Sequence, residues 1–515
     1  MAFLNWRIAV IVGVALLLVI PAIVRPPMTH DSFWIDWVWA DQFTSELAKG
    51  NLYPRWLPQS HGGLGSPVFY YYPPLGFFVA GAFGMAGLST YASITAAFFV
   101  GFVVSGIAMY AWLKDSASAP VFGALLFMAA PYHLFDYYSR GAMAESLAIA
   151  LIPLVALGVR RASQGKLVLG ALAYAALILS HLPLALLVSL MFVAPYSLYL
   201  SWRAPRLGVQ IAVCLLLGIA ISAIYLVPAF ALDQFRDSAR LWGLPGFKPE
   251  NWSLLRWAQP GPVPSLKVMM GTLILLLIQP VVLLLFTPQR AWGIYAGLCC
   301  VLVAGLVPEF WSLPLVERVQ FPSRMLPLAE FAIATGIAHV TLPRIIVYAA
   351  TVPLYASALP YSLAHPLGLA IPQEKLARYH PDVVENLPPG ERPDEWLSEW
   401  ALALSKEHPK PIQMDGYTID NVFYFPAWKV LCGGRPVATA PDARTKLLIY
   451  QGNGCERRLT MTTPERVGAL ISLAAMLVLV TLVGFSCFGS KIRCWVRRRN
   501  RPSLSKHNLA GRNDL

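Results

Sequence analysis

The sequence predicts an all-α, polytopic membrane bundle of about twelve spans, with a small exported α+β domain before the last span. Three observations predict it. Of 515 residues, 57% are hydrophobic and 13% charged, against about 25% charged in ordinary soluble chains, and the mean hydropathy is +0.56. So little charge over so long a chain makes lipid the solvent for most of it. Apolar stretches of about 20 residues, enough to cross a hydrocarbon core, recur along the chain. One long polar stretch, 363–465, interrupts them near the C-terminus.

Taken in order, the expected spans are 7–24, 91–113, 118–133, 143–159, 167–181, 182–201, 207–230, 267–287, 291–307, 325–341, 345–362 and 466–487. The first reads as a retained anchor rather than a signal peptide: no small-x-small cleavage pattern ends it, and Arg25-Pro26-Pro27 follows directly. The run 74–88 decides the orientation. Counted as a span, it would turn Arg160, Arg161, Lys166, Arg203, Arg206, Arg290 and Arg344 outward. Counted as a juxtamembrane helix, it leaves these groups, Arg7 and the basic tail on one side, as the positive-inside rule requires. The expectation is therefore both termini in the cytoplasm. The organisation is a transmembrane module over 1–362, with a first exported loop 25–73 and the juxtamembrane helix 74–88. An exported domain 363–465, the last helix 466–487 and a basic tail 488–515 follow.

Within the exported domain, Val422–Phe425, Trp428–Leu431, Leu447–Tyr450 and Arg458–Met461 read as short strands. Gly433-Gly434, Pro441-Asp442 and Gly452-Asn453-Gly454 separate them. Glu395 to Lys406 reads as an amphipathic helix. Cys432 and Cys455 flank neighbouring strands, where a disulfide is open to them outside the cytoplasm. Cys214, Cys299 and Cys300 lie in apolar runs and are expected to pack as small hydrophobes.

The formal net charge of +13 is concentrated after the last span, at Lys491, Arg493, Arg497, Arg498, Arg499 and Arg501. That placement fits anionic lipid rather than nucleic acid. Cytoplasmic loops are short and carry no P-loop or dinucleotide fingerprint, which argues against an ATP-driven transporter. Chemistry is expected in the long exported loops.

The first of these reads Thr29-His30-Asp31-Ser32-Phe33-Trp34-Ile35-Asp36-Trp37-Val38-Trp39-Ala40-Asp41. Asp31, at the membrane boundary, is singled out as a general base, because desolvation there would raise a carboxyl pKa. Asp36 and Asp41 also fit a solvated interfacial belt. Arg140 and Arg324, each at an exported helix end, are candidates to grip a phosphate bidentately, with lipid-headgroup snorkelling as the plain alternative. Glu145, inside an apolar helix, either pairs with Arg140 or acts as a second acid. His181 at a span end is a candidate for phosphate or sugar, or an ordinary interfacial histidine. Glu330 needs a partner within its span.

Several elements appear in a particular order: "LYPRW" (Leu52–Trp56), "GLGSPVFYYYPPL" (Gly63–Leu75), Tyr137–Glu145, Ser180-His181, Tyr225–Pro228, Gln320–Arg324 and Phe423–Trp428. In these the chain resembles the GT-C superfamily of membrane glycosyltransferases. More closely it resembles the bacterial membrane proteins labelled "6-pyruvoyl-tetrahydropterin synthase-related". Ala427 stands where a glycine is common. The resemblance implies a bacterial inner-membrane enzyme that moves a sugar from a polyprenyl-phosphate donor to an extracytoplasmic glycan, lipid or protein. It implies the first-loop acid Asp31 at the active site; Glu145 in catalysis, and His30, Arg55, Tyr72, Arg140, His181 and Arg324 in substrate binding, are assigned on physical grounds. A divalent metal is left open, since some GT-C enzymes use one and others none. The other classes kept are a flippase or transporter of lipid-linked glycans and a non-catalytic assembly factor.

Overall fold

The computed structural model describes residues 6–24, 31–238, 244–256, 264–367, 373–380, 382–389, 411–414, 416–443 and 445–499, with side chains of the last helix described to 483. The first half runs α1 (Trp6–Val24), α2 (Ser32–Ala48), α3 (Leu75–Met85), α4 (Thr90–Leu113), α5 (Pro120–Met128), α6 (Met143–Ala162) and α7 (Leu167–Ser180). It continues with α8 (Leu182–Ser201), α9 (Pro205–Ile221), α10 (Ala223–Ala231), α11 (Pro264–Leu285), α12 (Arg290–Val303), α13 (Leu326–His339), α14 (Arg344–Ala364) and α15 (Thr463–Arg499).

Among the described residues, seven helices are long and apolar enough to cross a membrane: α1, α4, α6, α8, α11, α14 and the start of α15. The bent pair α9 and α10, at 66°, makes up to eight. The expected spans at 118–133, 167–181, 291–307 and 325–341 form helices of 9, 14, 14 and 14 residues, short of the roughly 20 that cross unaided. In the first of these, the chain leaves the helix at Ala129 and restarts at Pro131, as proline dictates.

α6 lies at the centre of the bundle with nearly every side chain buried. Its approach to α7 depends on small residues: a Cβ on Gly158 would sit 2.5 Å from the Cα of Gly170, the close contact that drives helix association where lipid supplies no hydrophobic force.

Contacts between helices sort their ends. Tyr91 at the start of α4 donates its hydroxyl proton to the Ala22 carbonyl at the end of α1, 2.9 Å away. Residues 31–89 therefore lie between α1 and α4 at one end of the bundle. α3, at 11 residues, stays there too: Gly76 lies against Met143 and Ala144, and Gly84 against Thr44. At the other end, Arg7 donates to the Tyr110 hydroxyl at 2.7 Å, Arg160 to the Trp112 carbonyl at 2.9 Å, and Ser118 to the Ala338 carbonyl at 3.0 Å.

Of the expected strands, those at 428–431 and 447–450 are present, and those at 422–425 and 458–461 overlap the ends of strands that begin earlier. β1 (Ile412–Met414), β2 (Tyr417–Phe423), β3 (Trp428–Cys432), β4 (Arg435–Val437), β5 (Thr439–Pro441), β6 (Leu447–Gln451) and β7 (Glu456–Leu459) form two antiparallel sheets, ordered β1-β2-β6-β5 and β4-β3-β7. Cys432 and Cys455 are joined by a disulfide. Cys214, Cys299 and Cys300 are free and buried. The predicted helix at 395–406 lies outside the described residues. The sheets share an apolar core with the first loop: Trp56 meets Trp428 edge-on at 5.3 Å, and Tyr70 meets Phe425 at 4.5 Å.

Candidate functional site

At the loop-bearing end, five elements converge on one buried ion cluster. Glu145 sits in the first turn of α6 and is 1% exposed. Its Oε1 accepts from the Tyr132 hydroxyl at 2.7 Å. Its Oε2 accepts from Arg140 Nη1 at 2.8 Å and from Arg324 Nε at 3.0 Å. His181 Nε2 is 3.9 Å from the same oxygen. Arg140 also donates to Asp136 at 2.9 Å, and its Nε stands 3.5 Å from Asp31. Arg324 Nη1 donates to the Val319 carbonyl at 2.6 Å and to Gln320 Oε1 at 2.8 Å. Among the described residues, no bond is made to Nη2 of either arginine.

Local sequence explains the convergence. Asp136–Arg140 is a single π-turn, a device common at functional sites, and it ends at Gly141 with φ 68°. A Cβ on Gly141 would stand 2.5 Å from Cβ of Phe33, so the turn closes on α2 only with glycine there. Asp31 holds the N-cap position of α2, without a side-chain capping bond, at φ 42°, a backbone region that non-glycine residues rarely occupy. Its side chain keeps 36% exposure.

The cluster thus gathers Asp31, Glu145, Arg140, Arg324 and His181, all named from sequence, and Tyr72 borders it, its hydroxyl in the fields of Asp36, Arg324 and Glu145. One alternative falls and two expectations change. Arg140 and Arg324 do not snorkel: they are 7% and 5% exposed and bound to carboxylates. The desolvated acid of the first loop is Asp36 rather than Asp31. Asp36 is buried, and its Oδ2 accepts the Met143 N–H at 2.8 Å. Burial raises its carboxyl pKa to about 7, against the opposing pull of that N–H and of Arg140. Arg55 is a brace, with Nε 3.0 Å from buried Glu465 of α15, Nη2 bonded to the Ile224 carbonyl at 2.7 Å and its guanidinium over the Tyr53 ring. His30 lies outside the described residues.

His181 is held neutral. Its Nδ1 accepts the Leu184 N–H that opens α8, which leaves that ring nitrogen without a proton. Sequence reasoning missed Asp136 and Tyr132. The four-residue spacing of Asp136 and Arg140 was a readable signal; Tyr132 offered none. Glu330 finds its partner in the Tyr132 N–H.

Among the described residues, no group of three or more His, Cys, Asp or Glu side chains is placed to hold a metal ion. Guanidinium groups stand between the cluster's acids, so these residues do not fit a metal.

A solved structure similar to this chain is a cryo-EM structure of a mutant arabinofuranosyltransferase AftD from Mycobacteria. It aligns over 74% of this chain and 30% of that one, with a TM-score of 0.44 and 16% identity. None of the curated proteins compared matches the sequence. The profile of one family matches residues 69–364, more than half of the chain and including Tyr72, Arg140, Glu145, His181 and Arg324. The chain is accordingly a multi-pass membrane protein belonging to the family described as the 6-pyruvoyl-tetrahydropterin synthase related domain, membrane protein.

Proposed function

We propose that this protein is a GT-C-type glycosyltransferase that moves a sugar from a polyprenyl-phosphate donor to an acceptor hydroxyl outside the cytoplasm. The observation that carries the reading is the pair of buried arginines joined through Glu145, each with Nη2 uncommitted among the described residues, beside the half-exposed carboxylate of Asp31. Guanidinium N–H groups in a site of low dielectric suit a phosphate that gains charge as it leaves.

In the proposed step, Asp31 takes the proton of the acceptor hydroxyl, whose oxygen attacks the anomeric carbon of the sugar. The bond from that carbon to the phosphate oxygen breaks, and its electrons leave on the polyprenyl phosphate, held by Arg140 and Arg324. Attack opposite the leaving group inverts the anomeric centre. His181, kept neutral, is available to bond sugar or phosphate oxygens, and Tyr72 offers a flat face and a hydroxyl.

The proposed topology sets twelve crossings with both termini in the cytoplasm of a bacterial inner membrane, the shorter helices crossing within the bundle. The support is that Arg7 and Arg160 belong to the end away from the cluster, where Arg344 lines a cavity with Ser118. The proposed units are the transmembrane module 1–362, the exported domain 363–465, the last span and the basic tail.

The experiment is sugar transfer by purified protein from polyprenyl-phosphate sugars, with Asp31→Asn alongside. Loss of about 10²-fold or more in rate is expected for that variant. Transfer at the wild-type rate by Asp31→Asn removes Asp31 from the step. Transport of a lipid-linked glycan with no bond formed overturns the enzyme reading.

A further inference from the structure

We infer that Asp36 is a positioning residue for the proposed transfer, holding the N-terminus of α6 so that Asp31, Arg140 and Glu145 keep one fixed arrangement. The inference rests on the reading above.

Its basis is the way α2 meets the turn between Arg140 and Met143. The N-cap of α2 and two residues within the helix grip that turn at successive points. Asp31 reaches Arg140, Phe33 closes on Gly141, and Asp36 accepts the Met143 N–H. Phe33 and Asp36 are three apart on a helix, so they share a face. The first N–H groups of a helix have no partner within it. Met143 opens α6, and no side chain of the flanking Ala142 caps it. Asp36 supplies that missing acceptor from 107 residues away, and its negative charge also suits the positive end of the helix. Glu145 lies two residues beyond the anchored N–H and Arg140 three before it, so any slip of this point moves both. Asp36 itself is 3% exposed, and so acts through α6 rather than on substrate.

Charged and titratable groups face Asp36 from three sides. Arg140 comes from the π-turn, Tyr72 from the segment before α3, and Asp31 from the N-cap of α2. Burial raises its pKa to about 7, which leaves part of the population protonated at neutral pH. A protonated Asp36 still offers a carbonyl oxygen to Met143, so the anchor survives titration.

The test compares Asp36→Asn, which keeps an acceptor oxygen, with Asp36→Ala, which does not. Amide hydrogen exchange over 141–147 reads the anchor without any need for activity. Exchange in this stretch should speed up about tenfold or more in Asp36→Ala and stay near wild type in Asp36→Asn. In transfer assays, Asp36→Ala should lower kcat about tenfold or more, with KM for the lipid-linked donor within about twofold, and Asp36→Asn should restore most of it. Equal exchange in all three proteins overturns the inference, as does wild-type kcat in Asp36→Ala. An Asn variant as impaired as the Ala variant also overturns it, because the charge and not the anchor would then matter. A wild-type protein that transfers no sugar from any polyprenyl-phosphate donor defeats the transferase reading alone, and the exchange comparison still decides whether Asp36 anchors α6.

Discussion

Replacing Glu145 with glutamine should expose how unevenly the cluster's two arginines depend on it. Arg140 would keep Asp136 at 2.9 Å and Asp31 at 3.5 Å. Arg324 would keep only neutral acceptors, the Val319 carbonyl and Gln320. A buried ion pair broken from one side costs about 3–5 kcal/mol, because the remaining charge stays desolvated without compensation. That cost should fall almost wholly on Arg324, which is 5% exposed. Arg324→Met alone should cost less, about 1–3 kcal/mol, since Glu145 would still be held by Arg140 and Tyr132. The double variant Glu145→Gln, Arg324→Met leaves no orphan charge there and should recover most of the loss. Denaturant unfolding of detergent-purified protein, followed by tryptophan fluorescence, gives the four stabilities of the cycle. Strict additivity in the double variant would refute the reasoning, for it would mean that the two groups share no interaction.

Gly141→Ala should cost about 1–3 kcal/mol, since the new methyl meets Phe33 at a positive φ; unchanged thermal stability would contradict this. Reducing the Cys432–Cys455 bond, which closes a separation of 23 residues, should weaken the strand domain by about 3 kcal/mol. The expected readout is faster proteolysis within 411–461 while the helical bundle stays protected. Asp36, raised to about 7, leaves the native state holding the extra proton between about pH 4 and 7, so its contribution to stability falls as pH rises through that window, at no more than about 1.4 kcal/mol per pH unit. Asp36→Asn should remove that share of the slope from the wild-type profile; an unchanged slope in denaturant unfolding would contradict this.

What could be read from the sequence followed from periodicity and local chemistry. Hydropathy located α1, α4, α6, α8, α11, α14 and α15, and short runs between turn signals located β3 and β6 and touched the ends of β2 and β7. Residue type alone was enough to place Arg140, Arg324 and Glu145 among the polar groups at the loop-bearing end. Helix lengths were less legible, because apolar composition does not reveal where Pro131 interrupts the backbone. Which acid would be desolvated was illegible. Asp31 and Asp36 differ by five positions, and their burial depends on where α6 docks. Arg55 resembled a ligand-binding arginine because its partner, Glu465, lies 410 positions downstream. Such pairings are set by three-dimensional approach and leave no local trace.

The contact of Trp56 and Tyr70 with Phe425 and Trp428 also bears on how the molecule is made. During translation, the first loop emerges some 370 residues ahead of the strands that cover its aromatic side chains. Until the ribosome has delivered those strands and α15, the loop remains an unfinished surface, and Arg55 waits for Glu465. Maturation of this end of the protein is thus tied to completion of the chain, and polypeptides that stop short would be marked by exposed tryptophan and tyrosine for quality-control proteases.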